Sequence, residues 1–171
     1  LDAFAEADGR GVAVAANRGA SGIDGTVATA AGVARGRGLP TALLIGDLAL
    51  LHDQTSLALL RDGPPVVVVA INNDGGGIFH QLPVARPGAL DADTFERLFG
   101  TPHGLGFADA ARQVGLAYHQ PTTLPAFETA LAEAVASGRS ALIEVRTDRV
   151  EQATLRRDLA RAVAEAVDDA V

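Results

Sequence analysis

Two stretches decide the fold: TALLIGD at residues 41–47 and PVVVVAINN at residues 65–73. Each is a short run of aliphatic and β-branched residues that ends in polar residues, which is typical of a buried β-strand. Between them lies an Ala/Leu-rich stretch of helical length, residues 48–61. A strand, a helix and a second buried strand in succession predict a right-handed crossover between two parallel strands.

The same alternation continues in both directions along the chain. Further strands are predicted over residues 11–17, 116–119 and 141–147, and further helices over residues 23–33, 107–114 and 124–136. Apolar residues at a helical spacing predict an amphipathic closing helix over residues 151–171. The pattern therefore predicts an α/β fold, a doubly wound, mainly parallel sheet with helices on both faces. Residues 74–90 fit neither template, and irregular segments of this length are usually functional.

Length and composition limit the classes of function. A chain of 171 residues with 48% hydrophobic and 20% charged residues is expected to form a single folded domain, residues 1–171. The formal net charge of −7 argues against a nucleic-acid partner. No apolar run reaches the length of a membrane span, so we expect a cytoplasmic protein. Since the chain begins at Leu1 and contains no Met, we expect either a processed chain or a piece of a longer one.

Polar residues follow both deciding strands where the strands end. Gly46-Asp47 ends the first, and Asn72-Asn73-Asp74-Gly75 ends the second, with Asn73 placed 26 residues after Asp47. In such sheets ligands bind beyond the carboxyl ends of the strands. A carboxylate, an amide oxygen and a Gly carbonyl are the hard oxygen ligands that Mg²⁺ takes. In the alternative interpretation, Asp47 only caps a helix and the two Asn residues form an Asx turn.

These motifs together resemble those of the thiamine-diphosphate enzymes. The resemblance rests on Gly46-Asp47, on Asn72-Asn73 with Gly75 beyond, on NRGASGIDG at residues 17–25 and on Ile78-Phe79. Leu48, where most relatives carry Gly, makes the chain similar to one branch, the succinyl-enolpyruvyl-hydroxycyclohexene-carboxylate synthases of menaquinone biosynthesis. The resemblance implies the C-terminal, diphosphate-binding domain of a three-domain enzyme.

The resemblance also implies roles for individual residues. Asp47, Asn73 and the carbonyl of Gly75 would hold Mg²⁺, with Mn²⁺ as a possible substitute, and Ile23 would keep the cofactor bent. The remaining cofactor-binding positions would be Ser21, Gly22, Gly46, Leu48 and Gly76. Arg18 would pair with a substrate carboxylate, while Ile78, Phe79 and Leu82 would line the apolar side of the substrate pocket. The alternatives are a surface Arg, and core or lid hydrophobic residues.

For the intact enzyme the resemblance implies decarboxylation of 2-oxoglutarate and addition of the succinyl unit to isochorismate. The Glu that activates thiamine diphosphate would come from the pyrimidine-binding domain of a second subunit, in a homodimer or homotetramer. The chain alone is then expected to be inactive. Two alternatives stay open: another thiamine-diphosphate carboligase or decarboxylase, and a non-catalytic nucleotide-binding module. The chain lacks the dinucleotide and P-loop glycine motifs that would favour the module.

Two further sets of polar residues receive no functional role. The four histidines, His52, His80, His103 and His119, have no metal-ligand spacing and are predicted to be solvated or on helix faces. Asp53, one and a half helical turns after Asp47, is predicted to be an ordinary solvated helix residue.

Overall fold

The computed structural model describes residues 13–17 and 22–168. Its centre is a four-stranded sheet in the order β1-β2-β4-β3, in which every neighbouring pair is parallel. The strands are β1 (Thr41–Gly46), β2 (Val66–Asn72), β3 (Ala117–His119) and β4 (Ala141–Arg146). The parallel α/β fold that the sequence predicts is therefore confirmed.

Helices cover the sheet on both faces. The described α-helices are α1 (Thr26–Arg37), α2 (Asp47–His52), α3 (Ala92–Phe95), α4 (Ala108–Val114), α5 (Leu124–Ala136) and α6 (Arg149–Asp168). Of these, α1, α2, α4 and α5 pack against the strands. The chain steps from β1 to β2 to β3 in one direction and then returns to β4. Because crossovers between parallel strands are right-handed, this reversal moves the connecting helix to the opposite face. Accordingly α4 packs on one face and α5 on the other.

The core follows the two-residue period of the strands. Val66, Val68 and Ala70 of β2 face α1 and α4, whereas Val67 and the β4 residue Ile143 face α5. Both faces of β2 and β4 are thus buried, which explains why the sequence of β2 is an uninterrupted apolar run. This packing fixes β2 in the middle of the sheet and places its carboxyl end next to that of β1.

Three predicted elements differ from the structure. Of the predicted strand over residues 11–17, residues 13–17 are exposed and form no strand, and residues 11 and 12 lie outside the described part. Within the described part of the chain no strand pairs with residues 13–17, and strand preference depends on such packing. The helix predicted over residues 23–33 begins only at Thr26, since Gly25 is left-handed (φ 63°). The helix predicted over residues 48–61 changes at Asp53 into a 3₁₀ helix, Gln54–Arg61.

The closing helix also differs from the prediction in its packing. It forms as α6, but the apolar residues that predicted an amphipathic face, Leu155, Leu159, Val163 and Val167, are 41–62% exposed. Among the residues of this helix whose burial is described, 149–167, only Ala153 is buried. No helix within the described residues is long and apolar enough to cross a bilayer.

The irregular segment after β2 is built from short turns, as its Gly- and Pro-rich sequence predicts. It contains 3₁₀ turns at Gly77–Gln81 and Pro83–Ala85. Beyond it, α3 continues into a π-helical turn, Glu96–Gly100, which the sequence did not indicate. This turn lies against the loop that leaves β2, and it therefore shapes the site described next.

Candidate functional site

The site lies at the carboxyl ends of β1 and β2. Asp47 is the first residue of α2, directly after β1, and its side chain is almost completely buried. Beyond β2 the chain turns through Asp74 (φ 60°) and Gly75 (φ 133°). The N–H of Gly75 donates to Oδ2 of Asp47 over 2.9 Å. The two strand ends thus meet at one edge of the sheet, as the spacing predicts, and Asp47 contacts Gly75 directly.

The Asp47 carboxylate has further partners. Oδ1 accepts from the N–H of Leu48 (2.8 Å), and Oδ2 lies 3.1 Å from Nε2 of His103. Nδ1 of His103 accepts from the N–H of Leu105, so a neutral ring carries its proton on Nε2 and donates it to Asp47. The Leu48 N–H is therefore occupied by Asp47 and is not free for a ligand.

Close backbone packing explains the glycines of the loop. A Cβ on Gly75 would lie 2.0 Å from the carbonyl oxygen of Gly100, and a Cβ on Gly76 would lie 2.2 Å from that of Phe99. The N–H of Gly76 also donates to the Gly100 carbonyl over 2.8 Å. The π-helical turn thus holds the loop at a distance that only glycine allows.

The side chains of Asn72 and Asn73 have different partners. Oδ1 of Asn72 accepts from the N–H of Asp74 over 3.1 Å, which is the Asx turn of the alternative interpretation. Nδ2 of Asn73 lies 3.5 Å from Oε1 of Gln152, but its Oδ1 is buried and has no hydrogen-bond partner within the described part of the chain. A buried acceptor without a partner is costly. Such an oxygen fits a metal ligand, and the carboxylate of Asp47 and the carbonyl of Gly75 are oxygen donors of the kind that Mg²⁺ takes.

Asp74 holds a second loop, which contains His103 and Gly104, beside the loop that leaves β2. Its Oδ1 accepts from the N–H groups of Gly104 (2.7 Å) and His103 (3.0 Å). The hydrogen bond from Gly104 is the main reason why the pKa of the Asp74 carboxyl lies below its ordinary value. Burial opposes this shift, while the hydrogen bond from the His103 N–H and the charge of Arg149 reinforce it. The contact with His103 holds the ring that reaches Asp47.

A buried carboxylate, Glu144 of β4, supports the site from below. It has no solvent exposure and accepts hydrogen bonds from Asn72 (2.8 Å), the Phe107 N–H (2.9 Å), Tyr118 (2.8 Å) and Arg146 (3.0 Å). Burial raises the pKa of Glu144, but these four donors outweigh it and the pKa lies below its ordinary value. Burial and the bond to Glu144 together raise the pKa of Tyr118.

The other predicted cofactor and substrate positions are spread around this edge. Gly46 has open space where a Cβ would stand, and Leu48 is half-buried. Gly22 and Ile23 precede α1, where Gly22 is exposed and Ile23 is 43% exposed. Arg18 and Ser21 lie outside the described residues. The roles of all these positions stay predictions.

The predicted substrate wall is partly exposed and partly packed. Ile78 and Leu82 are 67% and 45% exposed, so both are available to a ligand or to another domain. Phe79 instead packs edge-on against Phe99, with 5.5 Å between the ring centroids. Phe79 therefore has a packing role whether or not it contacts substrate.

Two residues, Asp53 and His103, contradict their sequence-based interpretation. Asp53 is buried, and its carboxylate accepts from the N–H groups of Val27 (2.7 Å) and Ala28 (3.0 Å), so it caps α1 instead of facing solvent. His103 is 11% exposed in a loop and contacts Asp47. His80 lies in the 3₁₀ helix Gly77–Gln81, which agrees with the helix-face prediction, and its ring packs edge-on against Phe95. The partners of Asp53 and His103 are distant in sequence, so spacing gave no signal.

The parallel sheet and the polar residues at its carboxyl edge are those of an α/β domain of the kind that binds ligands beyond the carboxyl ends of its strands. Residues 5–145 match the family described as "Thiamine pyrophosphate enzyme, C-terminal TPP binding domain". The chain belongs to this family, and thiamine pyrophosphate is another name for thiamine diphosphate. The resemblance noted in the sequence is therefore confirmed at the level of the family.

Individual relatives agree with this assignment. The chain is 61% identical over 164 residues to the 2-succinyl-5-enolpyruvyl-6-hydroxy-3-cyclohexene-1-carboxylate synthase of Rubrobacter xylanophilus, with 96% of the chain and 28% of that protein covered. It is 52% identical over 169 residues to the synthase of the same name from Salinibacter ruber, with 99% of the chain and 28% of that protein covered. The chain thus spans less than a third of the length of these relatives.

A solved structure supports the fold. The benzoylformate decarboxylase of Polynucleobacter necessarius aligns with a TM-score of 0.52 and 21% identity, over 75% of this chain and 23% of that one. At this identity the similarity concerns the fold alone.

Proposed function

We propose that this chain is the diphosphate-binding domain of a synthase that decarboxylates 2-oxoglutarate and adds the succinyl unit to isochorismate in menaquinone biosynthesis. The names of the relatives at 61% and 52% identity support this reaction. The observation that carries the proposed site is the buried Oδ1 of Asn73, which has no partner among the described residues and follows the strand next to Asp47.

In this proposal Asp47, Asn73 and the Gly75 carbonyl hold Mg²⁺ or Mn²⁺, and the metal binds the diphosphate. The Gly75 carbonyl already accepts from the N–H of Gly77 over 3.0 Å, but a carbonyl oxygen has a second lone pair for a cation. His103 keeps the Asp47 carboxylate oriented through Nε2. When bound, thiamine diphosphate supplies the electron sink for decarboxylation of the 2-oxoacid.

The substrates would bind on the same side of the sheet. Arg18 is proposed to pair with a substrate carboxylate through its planar fork. The exposed Ile78 and Leu82 are proposed to form the apolar wall, with Phe79 behind them. Ser21, Gly22, Ile23, Gly46, Leu48 and Gly76 complete the proposed cofactor contacts.

The activating Glu is proposed to lie in a pyrimidine-binding domain of a second subunit, in a cytoplasmic homodimer or homotetramer. The 171-residue chain alone should then form no product. The test compares the intact enzyme with this chain, each supplied with Mg²⁺, thiamine diphosphate, 2-oxoglutarate and isochorismate. We expect succinyl transfer only from the intact enzyme. Product formed by the pure chain would refute the two-domain arrangement, and decarboxylation without transfer to isochorismate would refute the proposed acceptor.

A further inference from the structure

Arg149, the first residue of α6, contacts the loop that follows β2. Its side chain is 13% exposed. Nη1 donates to the carbonyl oxygen of Asp74 over 2.7 Å and to that of Asn73 over 3.4 Å. The carboxylate of Asp74 lies 3.9 Å from the same nitrogen. One guanidinium thus contacts the two peptide groups that directly precede Gly75.

The other end of the guanidinium is held by Glu96. Nη2 of Arg149 forms an ion pair with Oε2 of Glu96, at the start of the π-helical turn. That turn ends at Gly100, whose carbonyl accepts from the N–H of Gly76 over 2.8 Å. Arg149, Glu96 and Gly100 therefore close a ring of contacts around residues 73–76.

We propose that Arg149 is a positioning residue for the metal and diphosphate site, an inference that rests on the function proposed above. Arg149 donates to the carbonyl oxygens of Asn73 and Asp74 and so fixes the orientation of the two peptide groups that lead into Gly75. It also fixes the backbone on which the Asn73 side chain stands. The planar fork of Arg suits this task, because it bridges the loop and Glu96 with fixed geometry.

A purely structural role, in which Arg149 only attaches α6 to the domain, makes a different prediction. Loss of such an anchor lowers thermal stability but leaves the cofactor affinity of the folded enzyme unchanged. Loss of a positioning residue raises the Kd for thiamine diphosphate and the Mg²⁺ concentration needed for half-saturation. It leaves kcat at saturating cofactor nearly intact, since Arg149 does not contact the reacting atoms.

The experiment compares Arg149→Gln, Arg149→Lys and Arg161→Gln in the intact enzyme. Arg161 lies on the same helix, is 68% exposed and pairs only with Asp158 among the described residues, so it is the matched control. Calorimetry gives the Kd for thiamine diphosphate at fixed Mg²⁺. Because hydrogen bonds from a charged donor are lost, we expect Arg149→Gln to raise this Kd about 10- to 100-fold. Arg149→Lys, whose side chain has a single charged centre, should recover part of the affinity for thiamine diphosphate. Arg161→Gln should bind thiamine diphosphate as the wild type does.

Two further variants make every outcome decisive. Asp47→Ala tests the metal site itself: if it loses cofactor while Arg149→Gln binds normally, the positioning role is wrong and the proposed function stands. If both bind normally, the proposed function is wrong as well. Should Arg149→Gln fail to fold, Glu96→Gln frees the guanidinium without removing it, and an unchanged Kd and Mg²⁺ dependence in that variant would overturn the inference.

Discussion

Replacing Glu144 by Gln tests whether a buried carboxylate organises the site from below. The carboxylate accepts from four donors, whereas a Gln amide has one acceptor oxygen and one donor group. The NH₂ would replace one of the two carboxylate oxygens. Depending on the orientation of the amide, it would face either Phe107 and Tyr118 or Asn72 and Arg146. Only one donor of either pair is left buried without an acceptor, the Phe107 N–H or Nδ2 of Asn72, because Arg146 is 55% exposed and the Tyr118 hydroxyl can turn to accept from the amide. Such a donor costs about 1–3 kcal/mol. With part of this offset by the cheaper burial of a neutral amide, we expect a loss of about 1–2 kcal/mol near pH 7.

The pH dependence of this loss distinguishes the carboxylate from a packing effect. The pKa of Glu144 in the folded state lies below its ordinary value near 4.5. Its contribution is therefore complete above that value and is lost as the pH falls through the folded pKa. The stability difference between wild type and Glu144→Gln should then shrink below about pH 4.5. Urea unfolding from pH 7 to pH 3 measures it, with the exposed Glu128→Gln as control. A difference that stays constant across this range would refute the reasoning.

Three other predictions concern single residues. Asp53→Ala should destabilise the fold by about 2–4 kcal/mol in urea unfolding, because α1 loses its cap. A loss of stability below ~0.5 kcal/mol would instead indicate that Asp53 is a solvated surface residue. Gly75→Ala should abolish cofactor retention on gel filtration, since its Cβ would meet the Gly100 carbonyl, while Gly36→Ala, with nothing within 4 Å, should retain it. Arg18→Ala should lower kcat/KM about 10²-fold with cofactor affinity unchanged, and Arg18→Lys should recover part; near-normal turnover would make Arg18 a surface residue.

The parts of the fold that follow from local pattern were predictable. The apolar run of β2 and the polar residues at its end indicated a central parallel strand, and the gap between Asp47 and Asn73 indicated neighbouring strand ends. Chain direction alone then brings the two ends together. The contact between Asp47 and Gly75 confirms this step.

The support around the site was not predictable from local pattern. His103 reaches Asp47 across 56 residues, and Glu144 reaches Asn72 across 72 residues. Both contacts depend on the return of the chain to β4 and on the loop after the π-helical turn, which no spacing rule encodes. Glu144 did carry one signal, since a single carboxylate within the apolar strand ALIEVRT must find buried donors. The prediction for Asp53 was wrong because its helical spacing suggested a solvated face. In the structure α2 ends just before Asp53, and the Asp53 carboxylate caps α1.

Binding of thiamine diphosphate to the intact enzyme, titrated calorimetrically with and without Mg²⁺, tests the central claim most directly. The matched pair is Asp47→Ala and Asp109→Ala, because Asp109 is 78% exposed and pairs only with Arg112 within the described residues. The account predicts Mg²⁺-dependent binding that is lost in Asp47→Ala and kept in Asp109→Ala. Equal binding heats with and without Mg²⁺, or equal affinity in Asp47→Ala and wild type, would contradict the assignment of Asp47, Asn73 and Gly75 to the metal.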